Sequence, residues 1–223
     1  MNLVEYPDRD LLMLDLADLL ASELADALRR NETVTLSVPG GTTPGPVFDV
    51  LCEQKLDWDR VAVVLNDERW VPEDSPRSNT RLLRERLLVS NASAAKLIPL
   101  RAEAEAPEGA LDDLAEGLKP HLPISVLLLG MGADMHTASL FPGADNLAAA
   151  LEDDAPPLMA MRAEGAGEPR VTLTAPVLKG AMSIHVLITG REKREAIERA
   201  AHLDAMEAPI RTVLGQATVH WAE

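Results

Sequence analysis

Apolar residues recur along the chain with two periods, and each period predicts one kind of element. From Asp10 to Arg29 the leucines recur every three or four residues, which is the spacing of one face of an α-helix. Other apolar runs are short and continuous, and such runs favour strands that are buried on both faces. Strands are predicted over Thr33–Val38, Arg60–Leu65, Ser125–Leu129, Val171–Thr174, Ile184–Thr189 and Val219–Trp221.

Helical patterns alternate with these strands. Helices are predicted over Pro44–Gln54, Asn79–Leu88 and Glu192–Asp204. Thr42 or Thr43 is expected to cap the first of these three helices. Alternation of helices with strands that are apolar on both faces is typical of a parallel sheet covered by helices on its two sides. The sequence therefore predicts a Rossmann-like α/β fold with a mainly parallel sheet.

Two acidic stretches, Ala102–Glu108 and Glu152–Glu168, are predicted to be surface connections. Neither is as long as a linker between domains. The 223 residues are 47% apolar, which is enough for one sizeable core. One α/β domain spanning residues 1–223 is therefore expected.

The overall charge narrows the possible partners. Asp and Glu total 36 against 21 Lys and Arg, which gives a formal net charge of −15. A surface of this sign repels nucleic acid and anionic lipid, so neither nucleic acid nor a membrane is expected as a partner. The single cysteine, Cys52, fits a reducing compartment, and the charged start of the chain does not have the pattern of a signal peptide. We therefore expect a cytoplasmic protein whose partner is a small molecule.

Ligands of parallel sheets bind beyond the carboxyl ends of the strands, so the residues that follow each strand are the first candidates for a site. The first predicted strand is followed by PGGTTPG. Gly40 and Gly41 allow close backbone approach, and the N–H groups that open the next helix favour an anion. The loop lacks the lysine of a nucleotide-binding P-loop. A plain turn with a threonine cap is the alternative interpretation.

Cationic residues follow or precede other strands. The second strand is followed by NDERWVPEDSPRSN, in which Asp67 and Arg69 stand at the strand end. An arginine here could hold a carboxylate or phosphate through two hydrogen bonds, although an exposed ion-pair loop would have the same composition. Lys193 lies near a predicted helix N-terminus, where a cation is unfavourable unless an anion compensates it; a solvated helix face remains the alternative. Arg170, just before a short strand, is a weaker candidate of the same kind.

The segment GMGADMHTASLFPG, residues 130–143, carries the strongest candidate for catalysis. Asp134 and His136 stand two residues apart in a glycine-rich turn, and a helix is expected to begin over Thr137–Ser139. A histidine at a helix N-terminus tends to stay neutral, as a general base at pH 7 must. An isolated histidine is more often structural. No GxSxG, HExxH or CxxC motif occurs, so neither a serine nucleophile of the elbow type nor a metal is predicted.

These segments resemble the 6-phosphogluconolactonase family in their order and spacing. The motifs are PGGTTP, NDERWVPEDSPRSN, GMGADMHTASLFPG, PRVTLT and TGREKREAI, and they extend over roughly Ser37–Ala200. The wider superfamily includes glucosamine-6-phosphate isomerase/deaminases, which share a similar α/β fold. The resemblance implies hydrolysis of 6-phospho-D-glucono-1,5-lactone to 6-phosphogluconate in the oxidative pentose phosphate pathway, without a metal or cofactor.

The resemblance also implies roles for individual residues. His136 would activate water for attack on the lactone carbonyl, and Asp134 would orient it. Asp67 and Arg69 would line the sugar side, with Arg69 left open between the phosphate and the developing oxyanion. The residues implied to hold the 6-phosphate are Gly40, Gly41, Thr42, Thr43, Arg170 and Lys193.

Two departures from the family pattern and two alternative functions remain. Met135 stands where many members have glycine, which removes backbone freedom between the Asp and the His, and Pro39 stands where a small residue is common. The first alternative is a glucosamine-6-phosphate isomerase/deaminase, in which Asp67 and His136 would serve as the base beside C2 and the ring-opening histidine. The second is a non-catalytic domain that binds a sugar phosphate. A monomer or a homodimer is expected.

Overall fold

The computed structural model describes residues 1–223 and has an α/β architecture. Ten strands, β1 to β10 in chain order, cover Asn2–Glu5, Val34–Val38, Val61–Leu65, Asp67–Arg69, Lys96–Ile98, Val126–Gly130, Leu158–Met161, Arg170–Leu173, Ser183–Thr189 and Thr218–Ala222. Eight helices, α1 to α8, cover Arg9–Leu28, Gly45–Leu51, Asn79–Arg86, Leu111–Leu118, Leu147–Leu151, Ala175–Lys179, Arg191–Ala200 and Arg211–Leu214. No helix is long and apolar enough to cross a membrane.

The main sheet has seven strands in the order β1-β10-β9-β6-β2-β3-β5, and all of its neighbouring pairs are parallel. The predicted α/β class and mainly parallel sheet are thereby confirmed. Every residue of β2 and β3 is buried, which explains the continuous apolar run of β3, while β2 buries Thr35 and Ser37 among its apolar residues. Helix α1 packs across β10, β6 and β2 and also contacts α2. Its first turn is capped by Asp8, whose carboxylate accepts a hydrogen bond from the backbone N of Leu11 at 2.8 Å.

A second, antiparallel sheet has the strand order β4-β8-β7. The strand predicted over Val171–Thr174 exists as β8, but it pairs in this second sheet, so its predicted place in the parallel sheet was wrong. Leu158–Met161, inside the stretch predicted to be a surface connection, forms the mostly buried strand β7. β4 was also missed, because its sequence is Asp-Glu-Arg and has no apolar pattern.

The strand order changes direction at β2. From β2 the chain builds outward through β3 to β5, and it then returns to the other side of β2 with β6. The pairing of β2 with β6 stops at Ser37, two residues before Pro39, which has no N–H to donate. Beyond that point the buried side chain of Asn66 accepts a hydrogen bond from Ser37 Oγ at 2.7 Å and donates one to Leu128 O at 2.8 Å. In open α/β sheets such a switch point is where ligands bind.

Two helix predictions near this switch point were wrong. The position before α2 is Pro44, and no side chain caps the helix, so neither Thr42 nor Thr43 is the N-cap. No helix begins at Thr137–Ser139 either. That segment is a series of turns, and the next helix, α5, begins at Leu147. The backbone N of Ser139 instead donates to Thr172 Oγ1 at 3.1 Å, which ties the turn to β8.

Candidate active site

A cleft of about 280 Å³ opens at the carboxyl ends of β2 and β6, on the switch point. The turn after β2, the turn after β6, strands β4 and β8 and the first turn of α7 all contribute to its wall. Asp134 is the one predicted site residue that does not line it. The predicted residues that do are Gly40, Gly41, Thr42, Thr43, Asp67, Arg69, His136, Arg170 and Lys193.

The turn after β6 joins His136 to Asp134. The Nδ1 atom of His136 lies 2.5 Å from Oδ1 of Asp134, and the same carboxylate oxygen accepts a hydrogen bond from the His136 backbone N at 3.2 Å. The hydrogen bond from His136 holds the pKa of Asp134 below its ordinary value, although burial opposes the shift. An ionised Asp134 can only accept, so Nδ1 carries the proton and Nε2 keeps a free lone pair.

The backbone of this turn leaves no room for variation at Gly132. A Cβ added there would lie 2.3 Å from His136 Nδ1 and 2.6 Å from Asp134 Oδ1. Met135 has φ +66°, a left-handed conformation that costs a non-glycine residue roughly 1–2 kcal/mol. Two hydrogen bonds hold it there: its N donates to Gly132 O at 2.9 Å, and Ile210 N donates to its O at 3.1 Å.

No helix begins beside His136, so the helix dipole expected from the sequence does not act on it. Its immediate polar partner is the Asp134 carboxylate. The ring of Phe141 lies against the imidazole, with 4.5 Å between the ring centroids. The guanidinium of Arg170 lies over the same Phe141 ring, 5.3 Å from its centroid. One aromatic side chain thus separates the candidate base from a candidate anion-binding residue.

Strand β4 points alternate side chains in opposite directions. Asp67 and Arg69 line the cleft, while Glu68 between them is buried on the other side. The Glu68 carboxylate accepts hydrogen bonds from the backbone N of Arg69, Asn79 and Thr80 at 2.7–2.8 Å. This carboxylate fixes β4 against the N-terminus of α3 and thereby sets the positions of the two cleft residues.

Asp67 is almost fully buried and is held from two sides. Its Oδ2 accepts a hydrogen bond from Ser139 Oγ at 2.5 Å and lies 3.6 Å from Nη1 of Arg170. Both contacts fix the position of the carboxylate. They also connect β4 to the His136 turn, because Ser139 lies three residues after His136.

Three cations face the cleft of this acidic protein. Arg69 and Arg170 are directly opposite each other on β4 and β8, an arrangement that is unfavourable for like charges unless an anion compensates it. The Nε atoms of both are buried and have no acceptor in the chain. Burial lowers the pKa of Lys193 and of Arg170. With Asp67 as the single carboxylate lining the cleft, the site carries a local positive charge that suits a phosphate.

Thr42 and Thr43 make no side-chain hydrogen bonds within the chain, so their hydroxyls are free to bind a ligand. Gly41 has φ +85° and no heavy atom within 4 Å of a Cβ built on it, which leaves its backbone open to the cleft. Asn79 also lines the cleft, and the sequence-based reasoning did not select it. The available signal was its place at the end of the NDERWVPEDSPRSN motif, as the first residue of α3.

Histidines 121, 185, 202 and 220 do not line the cleft. His185 and His220 are buried in the main sheet and bonded to each other, with 3.0 Å between Nδ1 of the first and Nε2 of the second. No group of three or more His, Cys, Asp or Glu side chains is arranged to hold a metal ion.

The chain is similar in sequence and in structure to known proteins. The sequence profile of the family "Glucosamine-6-phosphate isomerases/6-phosphogluconolactonase" matches residues 7–221. A 6-phosphogluconolactonase of Rhizobium meliloti is 42% identical over 215 residues, which cover 93% of this chain and 92% of that protein. The crystal structure of a 6-phosphogluconolactonase from Shewanella baltica superposes with a TM-score of 0.97 at 34% identity, covering 100% of this chain and 98% of that chain.

A monomeric glucosamine-6-phosphate deaminase has the same fold, with a TM-score of 0.82 over 100% of this chain and 98% of that chain, but only 16% identity. At that identity the likeness concerns the fold alone. The extent of the profile match and the 42% identity over most of the chain decide the relationship. The chain belongs to the glucosamine-6-phosphate isomerase/6-phosphogluconolactonase family.

Proposed function

We propose that this protein is a 6-phosphogluconolactonase, which hydrolyses 6-phospho-D-glucono-1,5-lactone to 6-phosphogluconate in the oxidative pentose phosphate pathway. The observation that carries the proposal is one cleft that combines a His136–Asp134 pair with three cations. A base and an anion clamp are the two parts that hydrolysis of a phosphorylated lactone requires. The relatives that share 34–42% of the sequence have the same named activity.

His136 acts as the general base on water. Its Nε2 takes a proton from a water molecule as the water oxygen bonds to C1 of the lactone. Asp134 holds the ring through Nδ1 and stabilises the imidazolium that forms. The tetrahedral intermediate then breaks the bond between C1 and the ring oxygen, and the imidazolium returns the proton to that oxygen. The ring strain and the ester linkage of a lactone make a covalent nucleophile unnecessary, so one base worth about 10²–10⁴-fold is sufficient with good positioning.

The cations and the turn after β2 position the substrate. Lys193 and Arg170, with the open backbone of Gly41 and the free hydroxyls of Thr42 and Thr43, bind the 6-phosphate. Binding of this non-reacting group fixes the lactone carbonyl at the base, which is where remote binding energy aids catalysis. Gly40 makes room in the same wall of the cleft.

Asp67 and Arg69 line the sugar side of the cleft. Ser139 and Arg170 hold Asp67 as a fixed carboxylate, which can orient a sugar hydroxyl. Arg69 donates from Nη1 to Arg77 O at 2.8 Å, so its guanidinium is anchored at the rim. From there it stabilises negative charge on the substrate, either at the phosphate or at the oxyanion that develops on the carbonyl.

The proposal extends to the protein as a whole. One continuous cluster of 59 buried apolar residues joins elements from α1 to β10, which supports a single domain spanning residues 1–223. A cytoplasmic location, which the single cysteine Cys52 supports, and a monomeric or homodimeric state are part of the same proposal.

A lactonase assay on two substrates tests the proposal. Freshly prepared 6-phosphogluconolactone and the unphosphorylated glucono-1,5-lactone are compared, with spontaneous hydrolysis subtracted. We expect kcat/KM to be larger for the phosphorylated lactone by about 10²-fold or more, because the unphosphorylated lactone cannot make the charged hydrogen bonds to the phosphate site. Absence of enzymatic hydrolysis, with release of ammonia from glucosamine 6-phosphate, would assign the protein to the deaminase branch instead. Binding of 6-phosphogluconate with neither activity would indicate a non-catalytic domain.

A further inference from the structure

Asn79 is a buried polar residue of the cleft that has no role in the proposed hydrolysis. It is the first residue of α3, its side chain lines the cleft, and the residue is 4% exposed. Its Nδ2 donates a hydrogen bond to the backbone O of Asp67 at 3.0 Å. The side chain therefore lies beside the carboxylate on the sugar side of the cleft.

The contact with Asp67 fixes which way the amide of Asn79 points. A backbone carbonyl can only accept, so the NH₂ group must face it and Oδ1 must face away. No donor in the chain bonds to Oδ1. Oδ1 is not one of the fully buried polar atoms that lack a partner, so it is open to the cleft and to solvent. A ligand hydroxyl that enters the cleft can take the place of that solvent and donate to Oδ1.

Asn79 cannot turn away to find another partner. Its backbone N donates to the buried Glu68 carboxylate at 2.8 Å, and the next residue, Thr80, donates to the same carboxylate at 2.7 Å. Ser78 on the other side also donates to it, at 3.1 Å. Three consecutive residues are thus bonded to Glu68, which fixes the backbone that carries Asn79, and the bond from Nδ2 to Asp67 O orients its amide.

Gly40 provides the room for this amide. A Cβ built on Gly40 would lie 2.0 Å from Oδ1 and 2.1 Å from Cγ of Asn79, which is far inside van der Waals contact. The absence of a side chain at position 40 is therefore needed for Asn79 to enter the cleft. A phosphate dianion has no proton to donate, so an acceptor at this point does not attract it. The chemical group that fits Oδ1 is a hydroxyl.

We infer that Asn79 is a specificity-determining residue, whose Oδ1 accepts a hydrogen bond from a ring hydroxyl of the sugar-phosphate lactone. The inference deepens the proposed function and rests on it. Gly40 then lies beside the hydroxyl-bearing part of the substrate, and the phosphate binds at Gly41, Thr42 and Thr43. Asp67 and Asn79 are joined by one hydrogen bond, and together they bind the hydroxyls of the sugar.

The test pairs the variant Asn79→Ala with substrates that lack one hydroxyl. We would measure kcat/KM of the parent and the variant on 6-phosphogluconolactone and on its 2-deoxy, 3-deoxy and 4-deoxy analogues. The variant is expected to lose about tenfold on the full substrate but to match the parent, within about twofold, on the analogue that lacks the contacted hydroxyl. The parent should lose about tenfold on that same analogue.

Two further variants separate recognition from structure. Asn91→Ala removes an exposed asparagine far from the cleft, whose Nδ2 donates to Glu53 O at 2.7 Å, and it should behave as the parent on all four lactones. Gly40→Ala pushes the Asn79 amide aside without removing it, and it should lose the same hydroxyl preference as Asn79→Ala. This second variant supplies the result if Asn79→Ala does not fold.

The outcomes distinguish the inference from the function on which it rests. If Asn79→Ala lowers kcat/KM by one common factor on all four lactones, or does not lower it at all, the role of Asn79 is refuted while the lactonase function stands. If the parent itself hydrolyses none of the four lactones, the proposed function fails and the inference fails with it.

Discussion

His136 Nδ1 and Asp134 Oδ1 lie 2.5 Å apart in a turn that contains one left-handed residue, Met135, between them. The pair is held by the backbone on both sides, because Asp134 Oδ1 also bonds to the His136 N. The carboxylate therefore fixes the tautomer of the imidazole as well as its orientation.

Asp134→Asn is expected to lower kcat by about 10²–10³-fold with little change in KM, because the amide carries no charge to stabilise the imidazolium. The pKa of Asp134 is already held below its ordinary value by the hydrogen bond from His136, so the parent keeps the carboxylate ionised throughout the neutral range. Asp112→Asn, on the exposed first turn of α4, is the control. A kcat within twofold of the parent would remove Asp134 from the mechanism.

Gly132→Ala is expected to abolish most activity while the protein still folds. The new Cβ would overlap both His136 Nδ1, at 2.3 Å, and Asp134 Oδ1, at 2.6 Å, so the pair must separate. We expect kcat to fall by about 10²-fold or more, whereas affinity for 6-phosphogluconate, measured by calorimetry, should change little.

The matched control is Gly117→Ala, a glycine in α4 with no atom within 4 Å of the added Cβ. That substitution should leave kcat unchanged and stabilise the helix by about 1 kcal/mol, since alanine has the higher helix propensity. Equal activity of Gly132→Ala and the control would contradict the tight geometry described for the turn.

Lys193→Ala is expected to raise KM for the phosphorylated lactone by about tenfold or more and to lower kcat much less. The lysine is half-buried, and burial lowers its pKa, with Glu192 opposing the shift. Hydrolysis of the unphosphorylated lactone should be unaffected, because that substrate lacks the group that Lys193 binds. Arg191→Ala, two residues earlier on the exposed side of α7, is the control. An unchanged KM would exclude Lys193 from the phosphate site.

The buried histidines predict acid sensitivity of the fold. Burial, together with the neighbouring His185, lowers the pKa of His220 to about 4, while an unfolded histidine titrates near about 6.5. The folded state therefore disfavours protonation of His220. Its contribution to stability is complete above about pH 6.5 and is lost as the pH falls toward about 4.

Between pH 7 and pH 5 this histidine should lower the free energy of unfolding by about 2 kcal/mol. Urea unfolding at the two pH values measures this loss in the parent and in His220→Gln. The glutamine cannot be protonated, so the free energy of unfolding of the variant should fall less. His202→Gln, at an exposed position, should keep the loss of the parent. Tyr6, His185 and Glu23 complete this hydrogen-bonded chain, and of the three only His185 is fully buried. An equal pH dependence in all three proteins would show that His220 is not its source.

The Glu23 carboxylate acts in the same direction at lower pH. Burial alone would raise its pKa, but hydrogen bonds from His185 and Ser183 and the nearby imidazoles together lower it. Its contribution is therefore complete above the pKa of an unfolded glutamate and is lost as the pH falls from that value through the lowered pKa of the folded state. Restricting the comparison to pH 7 and pH 5 keeps this effect apart from that of His220.

The sequence predicted best those parts of the fold whose burial is complete. β3 and β6 are continuous or nearly continuous apolar runs, and β2 and β9 contain only a few polar residues, because both faces of these strands are covered. The polar residues that follow β2 and β6 meet because parallel strands end at one edge. That reasoning located His136 and the Gly40–Thr43 turn without knowledge of the strand order.

The parts that were wrong or missed depend on tertiary partners. β4 consists of three charged residues, and its burial requires Ser139 and Arg170 on one side and the N-terminus of α3 on the other. The helix expected at Thr137 is replaced by turns because Ser139 bonds to Thr172 of β8, a contact over 33 positions in the sequence. Asn79 was missed for the same reason: only the fold brings it against Gly40.

The variant His136→Ala tests the central claim most directly. Hydrolysis of 6-phosphogluconolactone and binding of 6-phosphogluconate would both be measured on parent and variant, with spontaneous hydrolysis subtracted. We predict that enzymatic hydrolysis falls to background while the affinity for 6-phosphogluconate stays within about threefold, because the phosphate clamp does not include the imidazole. A variant that hydrolyses the lactone as fast as the parent would contradict the assignment of His136 as the base.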